Sequence, residues 1–159
     1  MGTLPQLVEE DIRLLEFLLQ EFLQKTDATT ALILDQGGFL IAQQGDGRQF
    51  DLTTISALAS GAFLATQTIA NLVHETTFNS VYQQGERFSM FILRIDDESL
   101  LVVIFKAQVS VGAVKYFAIP AARQISVQMQ LARERAPEAG LDLSVLNLAD
   151  TSSVFKRKD

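Results

Sequence analysis

"FNSVYQQGERFSMFILRIDDESLLVVIFK", Phe78 to Lys106, holds three strand-like runs separated by two polar breaks, Gln84-Gly85-Glu86 and Asp96-Asp97-Glu98. In the second run both alternating sets are apolar, Phe88, Met90 and Ile92 on one side and Phe91, Leu93 and Ile95 on the other. The third, Leu100 to Phe105, is apolar throughout. Strands of that kind must be covered on both faces. The first run, Phe78 to Gln84, is more polar, with Asn79, Ser80, Gln83 and Gln84. It reads as an edge strand, the position most open to pairing with another chain.

Upstream lies "LTTISALASGAFLATQTIANLV", Leu52 to Val73, which reads as one helix. Asp51 before it can accept hydrogen bonds from the free amides of a first turn. At roughly 100° per residue, Ile55, Leu58, Ala59, Ala62, Thr66, Ile69 and Val73 share a stripe that is the expected core face. Opposite are Ala57, Ser60, Gly61, Leu64, Thr68 and Asn71. A solvated helix face normally carries Lys, Glu, Gln and Arg. This one carries almost none and needs a cover.

Earlier still, "TTALILDQGGFLIAQQGDG" reads as two strands joined through Gly37-Gly38, a pair able to take the positive φ of a tight hairpin. Before that hairpin, Val8, Ile12, Leu15, Leu19 and Phe22 step by four and three, so Pro5 to Lys25 reads as an amphipathic helix widened by Leu14 and Leu18. After the strands, Val111, Val114, Phe117, Ala118, Ala121 and Ile125 mark a last helix, expected to kink at Pro120. Residues 136–159, with Pro, Gly and mixed polarity, read as a loosely attached tail after a domain spanning 1–135. The expected order is α-β-β-α-β-β-β-α: an α/β (α+β) fold with a five-stranded antiparallel sheet sandwiched by helices.

A chain of 159 residues, 48% apolar and 20% charged, fits one domain with a real core. Its formal net charge of −6 disfavours nucleic acid and anionic membranes as partners. Without cysteine there is no thiolate nucleophile and no Cys-based metal site. No leader-like segment and no apolar run near the roughly 18 residues of a membrane span stand out, so the expected location is cytoplasmic, without membrane insertion.

From about Ala31 to Ile125 the chain resembles the roadblock/dynein light chain family, and within it the bacterial MglB-like branch. The resemblance is carried by "LILDQGGFLIA", "LTTISALASGAFLATQTIANLV", "FNSVYQQGERFSMFIL" and "LLVVIFKAQVSVGAVK" in that order. It implies a roadblock/profilin-like fold and a homodimer in which Phe78, Ser80, Val81, Tyr82 and Gln84 pair with their own copies. The two central helices would then lie side by side and bind a small Ras-like, MglA-like GTPase through Ala57, Ser60, Gly61, Leu64, Thr68 and Asn71, modulating its nucleotide state. The alternative is a plain dimeric adaptor of the dynein-light-chain type with no effect on a GTPase. The chain departs from the family's usual Ala-Gly-Asn in this helix, carrying Ser60-Gly61-Ala62 and then bulky Phe63 and Leu64.

Reacting groups are hard to find. The one histidine, His74, stands at the end of the central helix, where a structural role is expected. "QGDGRQ" and "QQGERFS" lack the GxxxxGK[ST] spacing that cradles phosphates. Asp96-Asp97-Glu98 reads as a solvated acidic turn rather than a cation site. Arg87, Arg94 and Arg123 are not assigned as inserted arginine fingers. The expectation is a non-enzymatic protein with no cofactor and no metal.

Overall fold

Every strand expected from the sequence forms. The computed structural model describes the backbone of residues 6–154 and the side chains of residues 6–135. The elements are α1 (Glu9–Thr26), β1 (Thr30–Asp35), β2 (Leu40–Gly45), α2 (Leu52–Leu72), β3 (Ser80–Gln83), β4 (Phe88–Arg94), β5 (Ser99–Lys106) and α3 (Val111–Val154). The strands make one open antiparallel sheet in the order β2-β1-β5-β4-β3. The most polar run, β3, is therefore an edge, and the wholly apolar β5 is central.

Helices cover both faces, which is why β1, β4 and β5 alternate apolar with apolar. Ala31, Ile33, Phe91, Leu93, Leu101, Val103 and Phe105 face α1 and α3 and pack with Leu15, Leu19, Phe22, Val114, Ala118 and Ile125. Leu32, Leu34, Ile92, Leu100 and Val102 face the other way and pack with Ala59 and Phe63 of α2. One helix thus covers a face as wide as the one that two helices cover on the other side. Among the described residues α2 is the one helix long and apolar enough, by length and composition, to cross a membrane, and it lies along the sheet.

α1 begins at Glu9 rather than at Pro5, because the Asp11 carboxylate accepts from the Val8 N–H at 3.0 Å and fixes Val8 as the cap. Leu14 does not widen the core stripe; it is exposed, while Leu15, Leu19 and Phe22 are buried. Asp11 is itself buried, and it also accepts from Gln128 and Arg135 of α3. The acidic turn is equally engaged. Asp96 accepts from Glu98 N–H and the Ser99 hydroxyl, and Arg133 pairs with it at 3.0 Å, while Arg94 pairs with Asp97. Two arginines two residues apart therefore fasten α3 to α1 and to the β4–β5 turn.

Pro120 does not end α3, which is one helix of 44 residues. Pro120 is exposed, where water can bond the carbonyl that the ring leaves free. The backbone of 136–154 continues this helix, while its side chains, and residues 155–159 of the expected tail altogether, lie outside the described residues.

The β1–β2 turn seats α2. Gly38, at φ 89°, lies so close to α2 that a Cβ there would stand 2.9 Å from the Ala57 Cα. The buried Asp35 carboxylate accepts from Phe39 N–H at 2.8 Å, and the Ser60 hydroxyl donates to the Gln36 carbonyl at 2.5 Å. Of the two glycines only Gly38 has positive φ. Gly38→Ala is expected to lower unfolding free energy by about 2 kcal/mol or more, from backbone strain plus the clash. Gly37→Ala, whose Cβ would meet Asp35 Oδ1 at 3.3 Å, is expected to cost well under that. Urea unfolding of both variants checks the difference.

Candidate protein-docking surface

α2 starts where Asp51 predicts. Its carboxylate accepts from Thr54 N–H at 3.2 Å and from the Thr54 hydroxyl at 2.6 Å. These bonds hold the exposed carboxyl below its ordinary value of 3.8, the hydroxyl contributing most. The helix ends with Glu75 N–H donating to the Ala70 carbonyl and with His74 in the left-handed region at φ 62°. His74 thus occupies the stop position that glycine usually takes, and its ring is exposed. Between the caps α2 contains no Asp, Glu, Lys or Arg.

The helix is rotated from the orientation expected of it. Its buried side is Ser56, Ala59, Ser60, Phe63 and Ala70, not the stripe through Leu58, Ile69 and Val73. Those three side chains are exposed, Leu58 to 68%. The β1–β2 turn holds Ser60 inward, its hydroxyl donating to the Gln36 carbonyl, while Ser56 is satisfied in the interior by donating to the Leu52 carbonyl of its own helix. Ser60, 7% accessible, is therefore removed from the expected partner face. Ala57, Gly61, Leu64, Thr68 and Asn71 lie at the surface as expected, Leu64 at 61%. A Cβ added at Gly61 would meet nothing within 4 Å.

The rotation creates an apolar flank that helical periodicity did not reveal. Ile55, Leu58, Ala59 and Ala62 line a groove of about 470 Å³ with Phe88, Met90, Ile104 and the backbone bend at Gln83–Gly85. Leu72, 75% exposed, continues the uncovered apolar surface toward the end of the helix. The signal available was the absence of any charge from all sides of α2, not from one side alone.

The sheet edge lies beside this helix. Gln67 of α2 donates to the Phe78 carbonyl at 2.9 Å and accepts from the Thr77 hydroxyl, tying the approach to β3 to the helix. Ser80, Val81 and Tyr82 lie within β3, while Phe78 and Gln84 fall just outside it. Arg94 N–H donates to the Asn79 carbonyl, so by antiparallel alternation Ser80 and Tyr82 turn their backbone groups toward the open edge. Tyr82 stacks on Phe105 at 6.3 Å on the face opposite α2. Arg94 is engaged by Thr77, Asp96 and Asp97, whereas Arg87 and Arg123 are exposed.

A charge-free helix and an open strand, both held by a five-stranded sheet with α1 and α3 behind it, define an α+β protein-interaction domain. Residues 14–105 match the model of the Roadblock/LC7 domain, more than half of the chain, and the chain belongs to that family. A solved structure described as MglB with a tetrameric arrangement is 27% identical, covers 83% of this chain and 99% of its own, and superposes with a TM-score of 0.77. The gliding protein MglB of Thermus thermophilus is 26% identical over 82% of this chain and 98% of its own, with a TM-score of 0.75. MglB of Myxococcus xanthus, at 22% identity over 79% and 95%, shares the fold with a TM-score of 0.74. No curated protein matches the chain. The domain is a roadblock-type adaptor.

Because the folded-state pKa of Asp51 is lowered, its capping contribution is present above the ordinary carboxyl value and is lost as pH falls through the lowered one. Asp51→Ala is expected to melt below the wild type at pH 7. The gap is expected to narrow as pH falls through the acid range and the carboxyl becomes protonated first in the unfolded and then in the folded state, which parallel thermal melts measure.

Proposed function

We propose that two copies of this chain pair through their β3 edges, and that the adjoining α2 helices form a seat for a small Ras-like GTPase whose nucleotide state they modulate. The observation that carries this is the uncovered apolar surface of α2, with Leu58, Leu64, Ile69 and Leu72 all exposed on a helix without charge. Isolated surface leucines are ordinary, but four large aliphatic side chains on one uncharged helix beside an unpaired edge are not. The similarity to MglB structures supports the same reading.

The inner flank, with Leu58 and its groove, suits a second copy, and the outer residues Ala57, Gly61, Leu64 and Thr68 suit the GTPase. Gly61, with open space above it, lets another backbone approach closely. Such a protein acts by preferring one arrangement of the switch regions over another, since binding both equally would shift nothing. No side chain of this chain is assigned a chemical step, and the assembly works in the cytoplasm as a regulator.

Two measurements check these statements. Ser80→Pro removes an outward donor without breaking the β3–β4 ladder and is expected to abolish β3-edge pairing in sedimentation, with an unchanged circular dichroism spectrum. Leu64→Arg and Gly61→Arg are expected to keep the self-association of the wild type but to lose at least tenfold in affinity for an MglA-like GTPase. Undiminished binding by folded variants overturns the assignment of this face.

A further inference from the structure

A line of hydrogen bonds runs past the end of β4, from α3 on one face of the sheet to α2 on the other. Arg133 of α3 donates to the Asp96 carboxylate at 3.0 Å. Arg94, the last residue of β4, donates through Nε to the Asp96 carbonyl at 3.3 Å and through Nη1 to the Thr77 hydroxyl at 3.2 Å. The Thr77 hydroxyl donates to the Gln67 side chain of α2, whose amide donates in turn to the Phe78 carbonyl. Gln67 stands next to Thr68 and one helical turn from Leu64, so the line ends beside the uncharged face of the helix.

It starts at an arginine that has two carboxylates within reach. Arg133 Nη2 is 3.0 Å from Asp96 Oδ2 and 3.6 Å from Glu98 Oε2, while Nη1 reaches Gln130 of its own helix at 3.5 Å. Glu98 Oε2 and Arg133 Nε are both buried, and neither has a hydrogen-bond partner among the described residues. Polar atoms left so are costly, and here a spare donor and a spare acceptor belong to two residues already side by side. A small movement of Arg133 sets Nε and Nη2 on the Glu98 carboxylate as a two-bond fork and satisfies both. It gives up the bond to Asp96, whose Oδ1 keeps the Glu98 N–H and the Ser99 hydroxyl. Each arrangement supplies what the other lacks, so one side chain has two discrete positions.

We propose that Arg133 is a two-position switch through which the placement of α3 sets the hold on the second half of α2. On Asp96, it leaves Arg94 to Thr77, and Thr77 keeps Gln67 in place. On Glu98, it frees Asp96 Oδ2, and Arg94, already bonded to the carbonyl of that residue, turns to the carboxylate and leaves Thr77. Arg94 Nη2 stays with the exposed Asp97 in either position. Gln67 then loses its fixed partner, and the last turns of α2 loosen from the approach to β3. Because α3 is one continuous helix, a displacement along its axis is carried to Arg133, and the coupling between the helices has a discrete element that both can bias. By reciprocity, a protein gripping the end of α2 favours the Asp96 position. That last consequence rests on the docking role proposed for α2, whereas the switch itself does not.

Amide hydrogen exchange of the full chain tests this, with circular dichroism and sedimentation confirming that each variant keeps the fold and assembly of the wild type. Arg133→Gln is expected to raise exchange at Gln67 to Leu72 at least fivefold. Arg135→Gln, which frees α3 from Asp11 instead, is expected to leave those amides unchanged. Glu98→Gln removes the second carboxylate and is expected to slow them. Asp96→Asn/Arg133→Gln is expected to return them to the wild-type rate, because the carboxylate that draws Arg94 away is gone while an acceptor for the turn remains; a merely structural role for these residues makes the double variant worse. Rates in α2 that Arg133→Gln does not change, that Arg135→Gln raises equally, or that the double variant raises further overturn the switch. None of these readings involves a GTPase, so failure of the docking role shows separately, as binding undiminished by Leu64→Arg.

Discussion

The close approach of Gly38 to Ala57 sets the rotation of α2, and everything the surface offers depends on that angle. A side chain at Gly38 would meet helix backbone, so the turn can press directly on α2 and the Ser60 hydroxyl can reach the Gln36 carbonyl. Seated this way, the helix commits Ala59 and Phe63 to the sheet and keeps its leucines outside. A helix turned by a quarter would bury Leu58 and Ile69 and leave Leu64 as the one large aliphatic side chain among the small residues of its outer face.

The other face is held by a different kind of force. There α1 and α3 supply the larger apolar cluster, and two arginines on α3 reach carboxylates on separate elements. Both receiving carboxylates are also hydrogen-bonded by their own local backbone, Asp11 by Val8 and Asp96 by Glu98. Such acceptors are already oriented when the arginine arrives, so little freedom is lost in forming the pair. Hydrophobic burial brings the helices down, and these pairs fix where along the sheet α3 lies.

Much of this was legible in the chain. Part of the sheet's layout followed from polarity: Asn79, Ser80 and Gln83 marked β3 as an edge, and the unbroken run from Leu100 to Phe105 marked β5 as a strand covered on both faces, which its central place provides. Leu15, Leu19 and Phe22 declared the core stripe of α1, and Asp51 declared the start of α2. What misled was amphipathicity in α2. With no charge on any side, periodicity alone could not locate the inside, and the outcome turned on two serine hydroxyls satisfied by backbone carbonyls, one of them in a different element. Leu14 misled for a related reason, since α3 covers only part of the apolar arc of α1. The ion pairs of Asp11 with Arg135 and of Asp96 with Arg133 join residues too distant in the chain for spacing to suggest them.

The two rims of the sheet are not alike. On β2 the register slips, Ile33 facing Ala42 while Leu34 faces Leu40, so Ile41 is a supernumerary residue that coils that rim. The rim at β3 pairs with its neighbour without any such slip. Endless ribbons, the hazard of every sheet with exposed borders, require two flat borders per molecule. With a bulge in one border, strand addition would be confined to the other and would end at two copies, so an open margin need not lead to a fibre.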